Sequence, residues 1–214
     1  MTNECFIVIH KKKGLKSLIS KLVYLQKYQA TSGIQKGRNP RIKSGLNMAG
    51  LAQLLEEGFT WTQKKNLAFT INDKKVFLKA GNEHTVPARP FISLNKYASI
   101  WEQIKNYARQ LVLSYLTPNV GKKSSYCKQL FQLLANFVAI KQKSIIGSSR
   151  LEDNAPLTIL LKGSNTPLQE TGDLQDSLSG KVEKSKNYTK QQSLQQIDKI
   201  MTDINKYIGK GKLV

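Results

Sequence analysis

The residues of this chain that could do chemistry are its two histidines, two cysteines and a few carboxylate clusters, and none completes a catalytic set. His10 lies in a strand-like run and His84 in a predicted loop. Nucleophilic catalysis needs a base beside a serine or cysteine, and a third group to orient that base. Neither histidine has such a context. Cys5 and Cys127 each sit in an apolar stretch, which predicts two buried thiols and no disulfide framework. Neither histidine has Cys or His neighbours at ligand spacing, so no zinc site is expected. Gly121-Lys122-Lys123-Ser124 lacks both the first glycine of a phosphate loop and a preceding strand. It reads as a basic loop between two helices. The expectation is a protein without catalytic residues, metal or cofactor.

Carboxylates offer little more. Glu56 and Glu57 are adjacent, so on a helix they point about a hundred degrees apart. Glu152, Asp153, Glu170, Asp173 and Asp176 form the one acidic neighbourhood. They could hold a metal. The simpler reading has Thr171 capping a short helix, with Asp173 in its favourable first turn.

Charge is the strongest compositional signal. Lys and Arg number 34 against 14 Asp and Glu, a net charge of +20. Such a balance favours nucleic acid, an anionic surface or acidic protein partners. The loop over 35–45 is basic and rich in turn formers, and Lys36, Arg38, Arg41 and Lys43 are its candidates for contact with DNA or a partner. Within the basic stretch 11–43, aromatics are sparse apart from Tyr24 and Tyr28, so no base-stacking platform is evident there. Composition supports backbone contact without sequence preference.

The elements that must position these residues follow from periodicity. A strand is predicted over 5–10, then an amphipathic helix over 15–27 on Leu15, Leu18, Ile19, Leu22 and Leu25. Lys16, Lys21 and Lys27 lie off that stripe and are expected in solvent. A short strand over 28–34 follows. Met48, Leu51, Leu54 and Leu55 mark a second helix stopped by Gly58. Residues 67–71 and 75–79 read as a β-hairpin joined at Asn72-Asp73. A long helix carries Tyr97, Ile100, Trp101, Ile104, Ala108, Leu111 and Tyr115 on one face, and Thr117-Pro118-Asn119 ends it. Another spans about 126–146. Residues 147–170 are loop-like. A helical turn over 174–178 and a strand over 180–183 close the sheet. The expected class is α+β, a mostly antiparallel small sheet against long helices.

A hydrophobic fraction of 40% suffices for a real core. Residues 1–184 are expected to form one domain. Residues 185–214 read as a C-terminal helical arm with a narrow apolar stripe, Leu194, Ile197, Met201, Ile204 and Ile208, which must bury against its own domain or a neighbouring subunit. Cys5 to Ile9 is too short for a signal-peptide core, and the basic run follows it. No stretch approaches the roughly 20 apolar residues of a membrane span. The protein is expected to be made in a reducing cytoplasm.

Two segments carry a family resemblance. Val86-Pro87-Ala88-Arg89-Pro90-Phe91-Ile92 resembles the Ile-Pro-Ala-Arg-Pro-Phe signature of phage virion-morphogenesis and tail-completion proteins. Lys162 to Leu178, with Pro167, Thr171, Gly172 and Leu174, is similar to that family's Lys-x-Ser-x-x-Pro-Leu-x-Asp-Thr-Gly-x-Leu-x-x-Ser-Ile segment. Glu170 stands where the family usually has Asp. Glu57-Gly58-Phe59-Thr60 resembles the turn that ends the family's Ala-rich helix, with its order altered. Ser32-Gly33-Ile34 after the first helix matches the usual opening. The resemblance spans residues 5–184. It implies a structural virion protein of a tailed phage: a homo-oligomeric ring, usually sixfold, in the neck or at the head-proximal end of the tail, around the DNA channel. Tail completion or head-tail joining is the first expectation, and tail termination the alternative. Other neck and tail proteins, and passing DNA, would be its partners. A free-standing basic nucleic-acid-binding protein is the rival class. Pro87, Arg89, Pro90, Phe91, Pro167, Thr171, Gly172 and Leu174 are expected in scaffold roles, with Phe91 a buried anchor and Arg89 paired to a carboxylate such as Glu57.

Overall fold

The computed structural model describes residues 12–35, 47–71, 73–117, 124–155, 158–159, 163–169, 172–185, 195, 199 and 202. The predicted strand at 5–10, Cys5, His10, Lys36, Arg38, Arg41, Lys43, Thr171 and the stripe Leu194, Ile197, Met201, Ile204 and Ile208 lie outside the described residues.

The chain is α+β. Its elements run α1 (Lys12–Gln26), β1 (Tyr28–Ile34), α2 (Met48–Glu57), β2 (Phe59–Thr62), β3 (Leu67–Ile71), β4 (Lys74–Leu78), β5 (Glu83–Val86), a 3-10 turn (Leu94–Lys96), α3 (Ala98–Leu116), α4 (Ser124–Ile145), α5 (Asp173–Ser177) and β6 (Leu178–Lys184). Among the described residues the strands form three two-stranded pairs, β1–β6, β2–β5 and β3–β4, where the sequence reading expected one small sheet. The last two pairs are antiparallel. Gln63 separates them. Its N–H donates to Asn82 O at 2.8 Å and its carbonyl accepts from Gly81 N at 2.8 Å. Its buried side chain turns back to donate to Lys65 O at 2.6 Å, so the ladder restarts only at Leu67. Strands β2 and β5 were not anticipated, and β5 carries His84, which had been expected in a loop. Among the described residues no helix is long and apolar enough to cross a membrane.

The chain divides into two compact units, one of residues 1–31, 105–134 and 182–214, the other of 32–104 and 135–181. Helices α3 and α4 and strands β1 and β6 contribute residues to both.

In the first unit Tyr115, Cys127 and Leu130 form the buried centre, with Tyr24, Leu25, Leu111 and Phe131 packed around them. Cys127 is wholly buried and free, and its Sγ donates to Tyr24 O at 3.4 Å. Burial pushes its thiol up to about 11. Burial likewise raises the Tyr115 phenol to about 12. Lys21 corrects an expectation: it is 2% exposed, not in solvent. Its Nζ donates to Thr117 O at 2.6 Å, where the last carbonyls of α3 lack helical partners and carry the negative end of the helix dipole. The ammonium also lies 5.8 Å from the Tyr115 ring centroid. Lys27 is half-buried over the Tyr28 ring.

In the second unit α2 starts at Asn47, whose Oδ1 accepts from Gly50 N at 2.8 Å. It stops at Gly58, as the sequence predicts, and the reason is twofold. Gly58 has φ +74°, and a Cβ there would stand 2.7 Å from Ala88 N. On α3, Ile100 and Ile104 are buried, but Trp101 is 42% exposed because it sits at the edge of the predicted stripe. On α4 the buried line includes Ala135 and Ala139. Their size has a use: Gly180 of β6 lies so near α4 that a Cβ would come within 2.3 Å of the Ala135 carbonyl carbon.

Candidate functional site

The first signature-like segment folds into a corner between β5 and the 3-10 turn. Pro87 and Pro90 fix φ and remove backbone donors, so the segment cannot extend the β2–β5 ladder. Its remaining N–H groups need other acceptors. Arg89 N donates to Leu55 O in the last turn of α2, at 2.8 Å. Glu56 supplies acceptors for three more. Its Oε2 accepts from Phe91 N at 2.8 Å and Ile92 N at 2.9 Å, and its Oε1 from Ser93 N at 3.0 Å. Burial pushes the Glu56 carboxyl up, but the Ser93 side chain and the N–H groups of Ile92, Phe91 and Ser93 outweigh it. The result lies below the ordinary value of 4.5.

Arg89 is buried and turns away from α2. Its Nε donates to Glu152 O at 3.0 Å and its Nη2 to Asp153 O at 2.8 Å. The expected pairing with Glu57 is therefore corrected. Glu57 is exposed and accepts from Gln53, and the guanidinium fork closes on two main-chain carbonyls instead. Burial lowers the Arg89 pKa, while the nearby Glu152 and Asp153 charges oppose that shift. Phe91 is wholly buried beneath the corner. Gln142 of α4 donates to Ile92 O at 3.2 Å, and the Tyr97 hydroxyl donates to Pro90 O.

The second segment meets the first through residues 152–154. Asn154 N donates to Asn165 Oδ1 at 3.0 Å, next to the carbonyls that Arg89 holds. Pro167 is buried, and its carbonyl accepts from Gly147 N at 3.0 Å. The N-cap position of α5 is Gly172, with φ +86° and no side-chain cap bond, and Thr171, expected to cap this helix, lies outside the described residues. Asp173 does stand in the first turn, and Leu174 is buried. Helix α5 touches α2, and Gln175 donates to Lys143 O at 3.2 Å. The corner thus joins Glu56, Pro87, Arg89, Pro90, Phe91 and residues 152–154 and 165–167 in one network, with Arg89, Phe91, Asn154 and Pro167 buried at its centre. Its chemistry is that of a clamp on backbone, since the Glu56 carboxylate and the Arg89 guanidinium both face main-chain partners, while the buried Asn154 Nδ2 has none.

The sequence reading missed Glu56. The available signal was the corner's need for acceptors. Two prolines within four residues leave a run of N–H groups with no ladder, but nothing in the sequence singles out Glu56 from Glu57, Glu83 or Glu102 as their acceptor. His84 stands in register opposite Trp61, and the rings stack at 4.6 Å between centroids. Among the described residues no three His, Cys, Asp or Glu side chains gather as a metal site would require. No family model, curated protein or solved structure matches the chain.

Proposed function

We propose that the chain is a structural subunit of a tailed-phage virion, closing a homo-oligomeric ring, sixfold in the first instance, in the neck or at the head-proximal end of the tail. One observation carries the reading: two segments that resemble the tail-completion signatures occur in the family's order, at 86–92 and 162–178. The buried clamp they share is consistent with it, because a subunit that repeats one heterologous interface around a ring needs fixed angles between its elements. The apolar stripe Leu194, Ile197, Met201, Ile204 and Ile208 is the arm by which one subunit engages the next. Lys36, Arg38, Arg41 and Lys43 face DNA in the channel or acidic surfaces of adjoining neck and tail proteins. Tail completion is the leading role and tail termination the second. The net charge of +20 favours one other reading, a free-standing nucleic-acid-binding protein.

Light scattering and negative-stain microscopy of the purified full chain test the proposal. Closed rings at micromolar concentration are expected, and removal of residues 189–214 should shift the population toward single chains. A chain that stays monomeric at every concentration, and is absent from particles, would end the proposal. In particles lacking the protein, tailless full heads beside free tails indicate joining, and overlong tails indicate termination.

A further inference from the structure

The β3–β4 hairpin has two unlike faces. On one, Leu67 pairs with Leu78 and Phe69 with Val76. Phe69, Ile71, Val76 and Leu78 are half-buried there. On the other, Ala68 pairs with Phe77 and Thr70 with Lys75, and all four are exposed. Phe77 is 63% exposed, more than any other large apolar side chain described. Its cross-strand neighbour is Ala68, too short to cover the ring. Lys75 stands two positions before it on the same face. Lys79, also exposed, stands two positions after it, just past the strand end. Alternation along an extended strand sets Lys75 about 7 Å from Phe77 on the same face, and Lys79 follows just past the strand end. Lys64 and Lys65, exposed at the approach to β3, add to the same basic stretch, whose one acid from 64 to 79 is Asp73.

We infer that this face binds single-stranded nucleic acid, with an unpaired base stacked on Phe77 and flanking phosphates held by Lys75 and Lys79. Three features select that occupant. An uncovered aromatic ring gains from any base, because each base has a π-face. Lysines on both sides supply phosphate contacts that depend on salt. A protein-docking core is instead depleted of lysine and broader than one ring between short side chains. A closed duplex hides its base faces and would use the lysines alone. The platform lies on one hairpin of one chain and does not rest on ring closure, so its failure and that of the assembly reading are separate outcomes.

Fluorescence anisotropy of the full chain tests it, with a labelled single strand of about 12 nucleotides and the same strand in a duplex. At about 0.15 M salt, Phe77→Ala should weaken single-strand binding roughly 5- to 100-fold and leave duplex binding unchanged. Net charge is the same in this variant, so background attraction from the rest of the chain is held constant. Phe77→Trp should retain affinity, and Phe77→Leu should behave like the alanine variant. Replacing Lys75 and Lys79 together with Ser should reduce the salt slope by about 1.4. Single-strand binding by Phe77→Ala at the wild-type level would overturn the inference. Full affinity in Phe77→Leu would overturn it too, since a merely apolar contact would then suffice. So would a Phe77→Ala variant that changes oligomeric state alone, which would mark the face as a subunit contact.

Discussion

The corner at 86–93 and the hairpin at 67–78 lie only a few residues apart in the chain, yet they use polar groups in opposite ways. In the corner a carboxylate and a guanidinium are turned inward and spent on backbone: Glu56 accepts three N–H groups, and Arg89 donates to two carbonyls. In the hairpin the backbone is satisfied by its own ladder, and the side chains of Lys75 and Phe77 stand exposed. The contrast separates a part of the molecule that sets shape from a part available for contact. A segment whose main chain lacks a ladder must recruit side chains to fold. A segment with a complete ladder can leave its side chains unengaged.

Three substitutions sharpen or break that contrast. Arg89→Ala should have the largest effect, because it strands two carbonyls and leaves a void where the buried side chain lay. A loss of about 2–4 kcal/mol in urea unfolding is expected. An unchanged midpoint would show that the clamp does not hold the corner.

Glu56→Gln should cost about 1–2 kcal/mol near neutral pH, since a neutral amide accepts more weakly than a carboxylate. Its pH dependence is the sharper readout. The folded state holds this carboxylate below its ordinary value of 4.5. The stabilisation is therefore complete above 4.5 and is lost as the pH falls through 4.5 and past the lower folded value. Unfolding midpoints measured from pH 6 downward should fall less steeply in the variant than in the wild type. Parallel profiles would remove Glu56 from the account.

Phe77→Ala should have the smallest effect on folding, within about 0.5 kcal/mol, because the ring is 63% exposed. A larger loss would mean that the ring supports the hairpin rather than waits on it.

Much of the framework was legible because periodicity is a local signal. Helices α1, α2, α3 and α4, the β3–β4 hairpin and strand β1 fall within a few residues of where the pattern places them. The hairpin turn lacks glycine, and Asp73 takes φ +60°, a conformation that Asp tolerates better than most residues. Strands β2 and β5 were not legible. Glu83-His84-Thr85-Val86 is too polar to announce a strand, and only pairing with Phe59–Thr62 makes it one. Lys21 misled for a related reason: a lysine off the apolar stripe is ordinarily solvated, and its burial depends on the end of a helix 96 residues further on. In the corner, the prolines and Phe91 could be singled out from the motif, but partner choice could not. Glu56 and Glu57 look alike in sequence, and Arg89 bonds to the carbonyls of Glu152 and Asp153, groups that every residue type carries. Main-chain acceptors leave no trace in composition.

The first unit holds one more consequence, in Cys127. A sulfhydryl sealed from water and some two decades less willing to ionise than usual will not meet an alkylating reagent while the helices around it stay shut. With Cys5 replaced, the pace of modification at this single sulfur becomes a clock for the breathing of that region, readable by mass spectrometry without any added dye.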